Sequence, residues 1–230
     1  MALTASELAG VLPPRSVFGS CSEAELADLL ACSTEFATKA GQTLLEQGGE
    51  GDALLVLVEG VARVSRIAEN GREIVLDYAE PGTMLGEIAL FDGEPRTASV
   101  TSLWKGRALR VGRAAFERLI EKHPHIALRI MREMAKRLRE MDETIESDRA
   151  FTTAPRLARF LKRLTEQKTH GARLAADLSQ SELGNFVGIS RENINRQLSA
   201  WAGEGVIELA QGKIRILDPD YLSQIAASGD

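Results

Sequence analysis

Residues 85–100 read LGEIALFDGEPRTASV, and this stretch decides how the rest of the chain is interpreted. It places Gly86 and Glu87 nine to ten residues before Arg96. A carboxylate can accept a hydrogen bond from a sugar hydroxyl, and a guanidinium can pair with two oxygens of one phosphate. A glycine at this point would let backbone N–H groups approach a ligand closely. The stretch therefore predicts a site for a phosphate-bearing ligand, although a buried ion pair without a ligand would also fit.

Short apolar or alternating runs surround this stretch up to about Ala115. Examples are residues 53–58, 61–67 and 73–78, which are separated by turn residues such as Asn70-Gly71. Many short strands at regular spacing predict an antiparallel sandwich or jelly roll, and Asn-Gly favours a tight hairpin. Before them, Ser22 with Glu25 forms a capping box that predicts a short helix over residues 22–32.

The period of the apolar residues changes to that of a helix from Ala114 to about Arg149. One long helix would carry a narrow apolar seam at steps of three or four residues: Ile126, Ile130, Met134, Leu138, Met141 and Ile145. Such a seam can pack on its own domain, or it can pair with a second copy in a parallel dimer. We predict the dimer.

The segment Thr152–Pro155 breaks the helical pattern and is predicted as a domain boundary. Three helical stretches follow, over residues 154–168, 179–187 and 190–202. A hairpin is predicted over residues 206–217, with its turn at Gln211-Gly212.

Residues 178–198, LSQSELGNFVGISRENINRQL, have the pattern of two short helices joined by a tight turn. Ser179 and Ser190 are placed to cap the two helices, and Gly188 supplies the turn. One face of the pair is apolar and predicts a small shared core: Leu183, Val187, Ile194 and Leu198.

The other face of the second helix carries polar side chains, which are Arg191, Glu192, Asn195 and Arg196. Arginine can bind guanine through two hydrogen bonds, and glutamate can accept one from cytosine. A solvated face supported by a Glu192–Arg196 pair is the alternative. These residues alone fit both interpretations. The order of a strand-rich domain, a long helix, a helix-turn-helix and a hairpin favours a recognition helix that enters the major groove of DNA.

Composition excludes several classes of protein. The 230 residues carry 28 basic and 33 acidic side chains and two cysteines, with no apolar run as long as a membrane span. We expect a cytoplasmic protein without a signal peptide or a disulfide framework. Residues 1–151 have a net charge of -6 and residues 152–230 of +1, so the acidity does not exclude DNA as a partner.

The stretch 85–100 resembles the phosphate-binding cassette of cyclic-nucleotide-binding domains, and the order of the whole chain resembles the Crp/Fnr family of bacterial transcription regulators. The resemblance implies an α+β fold with an N-terminal antiparallel β jelly roll, a long dimerisation helix and a C-terminal winged helix-turn-helix. The corresponding domains would span residues 1–115, 116–151 and 152–230.

The resemblance also implies roles for individual residues. Glu87 would hold the ribose and Arg96 the phosphate, and other residues would line the site: Gly86, Ile88, Thr97 and Ala98. With Thr97 at this position, cGMP is possible as the effector as well as cAMP. Family members that bind cAMP use a Thr-Ser pair on the long helix to contact the base, and here Met141 and Asp142 stand at those positions.

By the same resemblance, Ser179, Ser190, Arg191, Glu192, Asn195 and Arg196 would contact a palindromic TGTGA-like site as part of a homodimer. RNA polymerase is the further partner expected. No enzyme, metal site or iron–sulfur cluster is expected, because the catalytic motifs and clustered cysteines are missing. Two alternatives stay open: a family member that uses another ligand or none, and a nucleotide-binding module that acts on a partner protein.

Overall fold

The computed structural model describes residues 3–150, 152–167, 183, 191–210 and 213–228, without the side chains of residues 143–150, 163–167, 191 and 213. Its contacts divide the chain into two compact units, Met1–Leu138 and Arg139–Asp230. The domain limits at residues 115 and 151 stay predictions. No helix among the described residues is long and apolar enough to cross a membrane.

The first unit is built on two antiparallel four-stranded sheets. The first sheet contains, in spatial order, β1 (Thr34–Thr38), β8 (Gly106–Gly112), β3 (Ala53–Glu59) and β6 (Met84–Leu85). The second contains β2 (Thr43–Leu45), β7 (Ser99–Ser102), β4 (Ala62–Ile67) and β5 (Glu73–Ala79). The predicted jelly roll is confirmed, and Gly71 supplies the positive φ of the turn between β4 and β5.

The position of strand β3 in the fold explains why its sequence is a continuous apolar run and not an alternating one. Its side chains alternate between two cores, because successive residues of a strand point to opposite faces of the sheet. Leu55 and Leu57 face the core that also holds Val100 of the second sheet. Leu54 and Val56 belong to a separate core shared with the helices. Both faces of β3 are therefore buried.

Four helices of the described residues lie entirely within the first unit: α1 (Ala5–Val11), α2 (Glu23–Ala31), α3 (Glu87–Asp92) and α4 (Arg113–Lys122). The capping box predicted for α2 is confirmed, since Ser22 accepts from the Glu25 N–H and the Glu25 carboxylate accepts from the Ser22 N–H at 2.6 Å. Helix α1 begins with a second capping box, between Thr4 and Glu7, which was not predicted.

The long helix is present as α5 (Pro124–Ala150), and the residues of the seam predicted on it differ in their exposure. Ile126 and Ile130 are only 1% and 4% exposed, because they lie in the core that α2 and β3 share, and Met134 packs against the same core. Ile126 and Ile130 are therefore covered by their own unit, whereas Met134 is only half-buried. Leu138 and Met141, in contrast, are 60% and 61% exposed and remain available to one.

A different row of α5 is exposed in the first unit. Leu128, Met131, Ala135 and Leu138 are all exposed, and they recur at steps of three, four and three residues. That spacing is the one that keeps a coiled-coil seam on one side of a helix. The side chain of Ile145 lies outside the described part of the chain, so its place in a seam stays a prediction.

The second unit contains the end of α5, followed by α6 (Thr153–Gln167), α7 (Arg191–Gly203), β9 (Ile207–Ala210), β10 (Lys213–Ile216) and α8 (Pro219–Ala227). Strands β9 and β10 pair as the predicted hairpin. Leu183, Ile194 and Leu198 are fully buried, which confirms three members of the predicted core. Val187 lies outside the described residues, and α8 was not predicted.

Candidate functional site

Arg96 is the buried charge around which the predicted ligand site is built. It is 5% exposed, and it follows the turn that ends α3. Its Nη1 donates to the carbonyl of Gly86 and its Nη2 to the carbonyl of Ala53, both at 2.5 Å. Burial lowers the pKa of its guanidinium, and the nearby carboxylates of Asp52 and Glu87 oppose that shift. The group stays charged, and three N–H donors remain beyond these two bonds.

Glu87 is the first residue of α3, and it is buried to 3% exposure. Arg137 of α5 donates to its Oε1 at 2.6 Å, and a second nitrogen of the same guanidinium donates to the carbonyl of Met84 at 3.2 Å. A buried carboxylate needs such a partner. Arg137 was not predicted from the sequence, because fifty residues separate it from Glu87 and no local pattern links the two.

Gly86 lies next to both charged residues: it directly precedes Glu87, and its carbonyl accepts from Arg96. It is the N-cap residue of α3 with φ of +76°, a conformation that costs other residues free energy. A Cβ at this position would collide with Nη1 of Arg96 and would lie 2.7 Å from Cδ1 of Leu45. Glycine is therefore required both by the backbone turn and by the arginine that packs directly over it.

A cavity of about 370 Å³ opens beside Arg96. That volume falls in the range of small-molecule sites, which begins at roughly 300 Å³. Apolar and charged residues line the cavity, and Glu87 is not among them: Phe36, Leu44, Leu45, Glu46, Gly49, Glu50, Asp52, Ala53, Leu55, Arg96 and Arg110. Such a lining suits a ligand that has both an apolar body and a charged group.

For the other residues predicted to hold the ligand, the structure gives an exposure but no contact that indicates a role. Thr97 is exposed and Ala98 half-buried, both just before β7, and Ile88 is exposed on α3. Met141 and Asp142 are exposed on the part of α5 that belongs to the second unit. The contacts of these five residues with a ligand stay predictions.

The two cysteines lie beside the apolar core of the first unit. Cys21 and Cys32 are half-buried against the apolar core, and burial raises the pKa of both thiols. A raised pKa makes a thiol less reactive. Within the described residues, no three His, Cys, Asp or Glu side chains are arranged to hold a metal ion.

The candidate DNA-reading surface lies on α7. Glu192 and Arg196 are both exposed, one turn apart. Arg196 donates to the side-chain oxygen of Asn193, which holds the guanidinium against the helix. These two charged side chains are therefore open to a partner, as the sequence predicts.

The structure does not show the other predicted DNA contacts as exposed side chains. Asn195 is half-buried, with its Oδ1 shielded from solvent, and its contact with DNA stays a prediction. Ser179 and Ser190 lie outside the described residues, and so does the side chain of Arg191. Their roles stay predictions.

Comparison with known families identifies both halves of the chain. The cyclic nucleotide-binding domain matches residues 35–123, and the Crp-like helix-turn-helix domain matches residues 155–225. A CRP-like cAMP-activated global transcriptional regulator of Mycobacterium tuberculosis is 34% identical over 191 residues, covering 81% of this chain and 85% of the relative.

Two proteins of Thermus thermophilus are also similar. Its cyclic AMP receptor protein is 31% identical over 186 residues, covering 81% of this chain and 85% of the relative. The solved structure of a CRP/FNR-family transcriptional regulator from the same organism has a TM-score of 0.72 and 25% identity, and it covers 86% of this chain and all of that one. The chain belongs to the Crp/Fnr family, whose members are transcription regulators and not enzymes. The predicted family and α+β fold are confirmed.

The role of Gly86 can be tested without any ligand, because Gly93 at the other end of α3 is a matched control. Both have positive φ, +76° and +78°, but a Cβ on Gly93 meets nothing within 4 Å. Gly93→Ala should lower the free energy of unfolding by about 1–2 kcal/mol, the cost of a left-handed conformation. Gly86→Ala should lower it further, because Arg96 and Leu45 must also move.

Urea denaturation followed by circular dichroism measures both losses. Equal losses for the two variants would contradict the packing of Arg96 over Gly86.

Proposed function

We propose that the protein is a homodimeric transcription regulator whose first unit binds a 3′,5′-cyclic nucleotide and whose second unit reads a palindromic DNA site. The single observation that carries the ligand assignment is the placement of a buried guanidinium and a buried carboxylate around one glycine: Arg96, Glu87 and Gly86. The relatives named above as responding to cAMP support cAMP first, with cGMP as the second candidate.

The chemistry of the two side chains fits the two polar ends of a cyclic nucleotide. The cyclic phosphate carries one negative charge, and the remaining N–H groups of Arg96 can donate to its oxygens. The ribose 2′-hydroxyl can donate to Glu87. A carboxylate has about four acceptor positions, so the contact with Arg137 leaves capacity for the hydroxyl. The apolar part of the cavity would cover the base or sugar.

The dimer is proposed to form through α5, with Leu128, Met131, Ala135 and Leu138 facing the same row of a second copy. Four apolar side chains are exposed to solvent on a helix that otherwise carries many charges. A second copy packed on this row would explain why they are apolar. We propose that Met141 and Ile145, the last two residues of the seam predicted from the sequence, extend this row. A dimer would place two α7 helices one turn of DNA apart, about 34 Å, as half-sites of a TGTGA-like palindrome require.

Within this proposal, Glu192 and Arg196 contact base edges, with Arg191 and the two capping serines beside them. RNA polymerase is the proposed further partner, as expected for a regulator of transcription. The ligand acts on DNA binding only if it binds the two states of the protein with different affinity. A family member that uses another ligand remains the second candidate, which the next experiment separates.

Isothermal titration calorimetry with cAMP and cGMP tests the ligand. We expect binding of at least one of them, and at least a tenfold loss of affinity in Arg96→Lys, because lysine lacks the planar fork that can pair with a phosphate and two carbonyls at once. Arg107→Lys is the matched control, since Arg107 lies on β8 and pairs with Glu59 and Glu35 outside the cavity. No heat with either nucleotide up to millimolar concentration would refute nucleotide binding.

A gel shift on a TGTGA palindrome tests the DNA-reading surface. Arg196→Ala should weaken specific binding by about 1–3 kcal/mol per lost base contact, while binding to a scrambled duplex changes much less. Arg118→Ala, an exposed arginine on α4, should leave both unchanged. If Arg196→Ala weakened specific and scrambled duplexes equally, Arg196 would be a phosphate contact and not a base reader.

Analytical ultracentrifugation tests the dimer. Leu138→Glu should shift the protein toward the monomer, because a carboxylate in the centre of an apolar seam is left without a partner. Ile67→Glu is the control, since Ile67 is exposed to a similar degree on β4 and lies outside α5. A Leu138→Glu protein that sediments like the wild type would rule out this row as the interface.

A further inference from the structure

Arg113, the first residue of α4, holds the carboxyl end of α3. Its Nη1 donates to the carbonyl of Leu90, and its Nη2 donates to the carbonyl of Ala89 at 3.3 Å. The Leu90 carbonyl belongs to those that a helix leaves without partners at its C-terminus, and the Ala89 carbonyl also accepts from the Gly93 N–H at 3.2 Å. A cation at this end also interacts favourably with the helix dipole. One guanidinium therefore fixes the last turn of the helix that begins with Glu87.

The same guanidinium binds the segment that leads into β3. Its Nη2 donates to the carbonyl of Gly51 at 3.0 Å, and the Arg113 N–H donates to the carbonyl of Asp52 at 2.9 Å. Gly51 is itself packed directly against α3, since a Cβ there would lie 2.6 Å from the carbonyl carbon of Ala89. Arg113 thus forms hydrogen bonds to both α3 and this segment, at the place where Gly51 packs against Ala89.

Arg96 and Glu87, the two charged residues of the ligand site, are both attached to the place where α3 packs against the segment before β3. Arg96 is held by the carbonyl of Ala53, which follows Asp52 directly, and by the carbonyl of Gly86, which precedes α3. Glu87 is the first residue of α3. The distance from the guanidinium of Arg96 to the carboxylate of Glu87 therefore depends on how α3 sits against the start of β3.

We propose that Arg113 is a positioning residue that sets this distance, so that one ligand can contact Arg96 and Glu87 at the same time. The inference rests on the proposed nucleotide binding, and it concerns a residue that does not line the cavity. A ligand site must hold its polar groups to within about 0.5 Å, which requires supporting contacts of this kind.

The geometry requires arginine at this position. Three carbonyl oxygens, from Gly51, Ala89 and Leu90, accept from two nitrogens of one planar group. Lysine keeps the positive charge but has a single nitrogen on a flexible stem. Arg113→Lys therefore preserves the charge near the site and removes the fixed geometry. Arg118→Lys, on the exposed side of the same helix, is the matched control.

The test compares a cyclic nucleotide with its 2′-deoxy form, using whichever of cAMP and cGMP the wild type binds. In the wild type, loss of the 2′-hydroxyl should lower affinity by about tenfold or more, because a hydrogen bond to a buried carboxylate is lost. In Arg113→Lys, the cyclic nucleotide should bind about tenfold more weakly, and the ratio between the two ligands should fall to about threefold or less. Arg118→Lys should keep the wild-type ratio.

A role in stability alone predicts something else: a lower melting temperature with the ratio unchanged, and that result would overturn the proposal. Arg113→Gln, which keeps two N–H donors on a shorter side chain, gives a second reading if Arg113→Lys does not fold. If the wild type binds neither nucleotide, the proposed function fails. If the wild type binds and both variants keep the full ratio, only the role of Arg113 fails.

Discussion

A buried guanidinium is the constraint on which the first unit depends. Removing a charge from water is unfavourable unless hydrogen bonds replace the water. Arg96 obtains them from the carbonyls of Gly86 and Ala53, and its own backbone bonds Gly48 and Gly49. These bonds join the turn before α3, the start of β3 and the loop after β2. A residue that the sequence marks as a ligand contact therefore holds three segments of the jelly roll together, two through its side chain and one through its backbone.

Much of this fold could be predicted because its signals are local. The capping box of α2 involves residues three apart, and the turn between β4 and β5 follows from Asn70-Gly71. The partners of the buried charges could not be predicted in this way. Arg137 lies fifty residues from Glu87, and Arg113 lies 62 residues from Gly51. No pattern of period two or 3.6 connects such pairs, so only the folded chain shows them.

The different exposure of the residues in the predicted α5 seam has a geometric cause. Successive residues of an α-helix are rotated by about 100°, so each step of four residues turns the side chain by about 40° beyond a full turn. From Ile126 to Leu138 there are three such steps, which amount to about 120°. Ile126 and Leu138 therefore cannot share a narrow face, and the structure places the first in the core and the second in solvent. Steps alternating between three and four, as from Leu128 to Leu138, keep one face.

Arg137 and Leu138 are neighbours on α5, and this adjacency bears on how a ligand could influence the rest of the protein. Arg137 pairs with Glu87, while Leu138 is exposed in the row proposed for the dimer. In the proposed function, a ribose hydroxyl bound to Glu87 would share the carboxylate with Arg137 and would change the strength of that pair. Arg137 and Leu138 are consecutive residues of α5, so one helix would carry both the contact to the ligand site and the proposed dimer row. The proposed ligand would favour one packing of two α5 helices only to the extent that its affinity for the two packings differs.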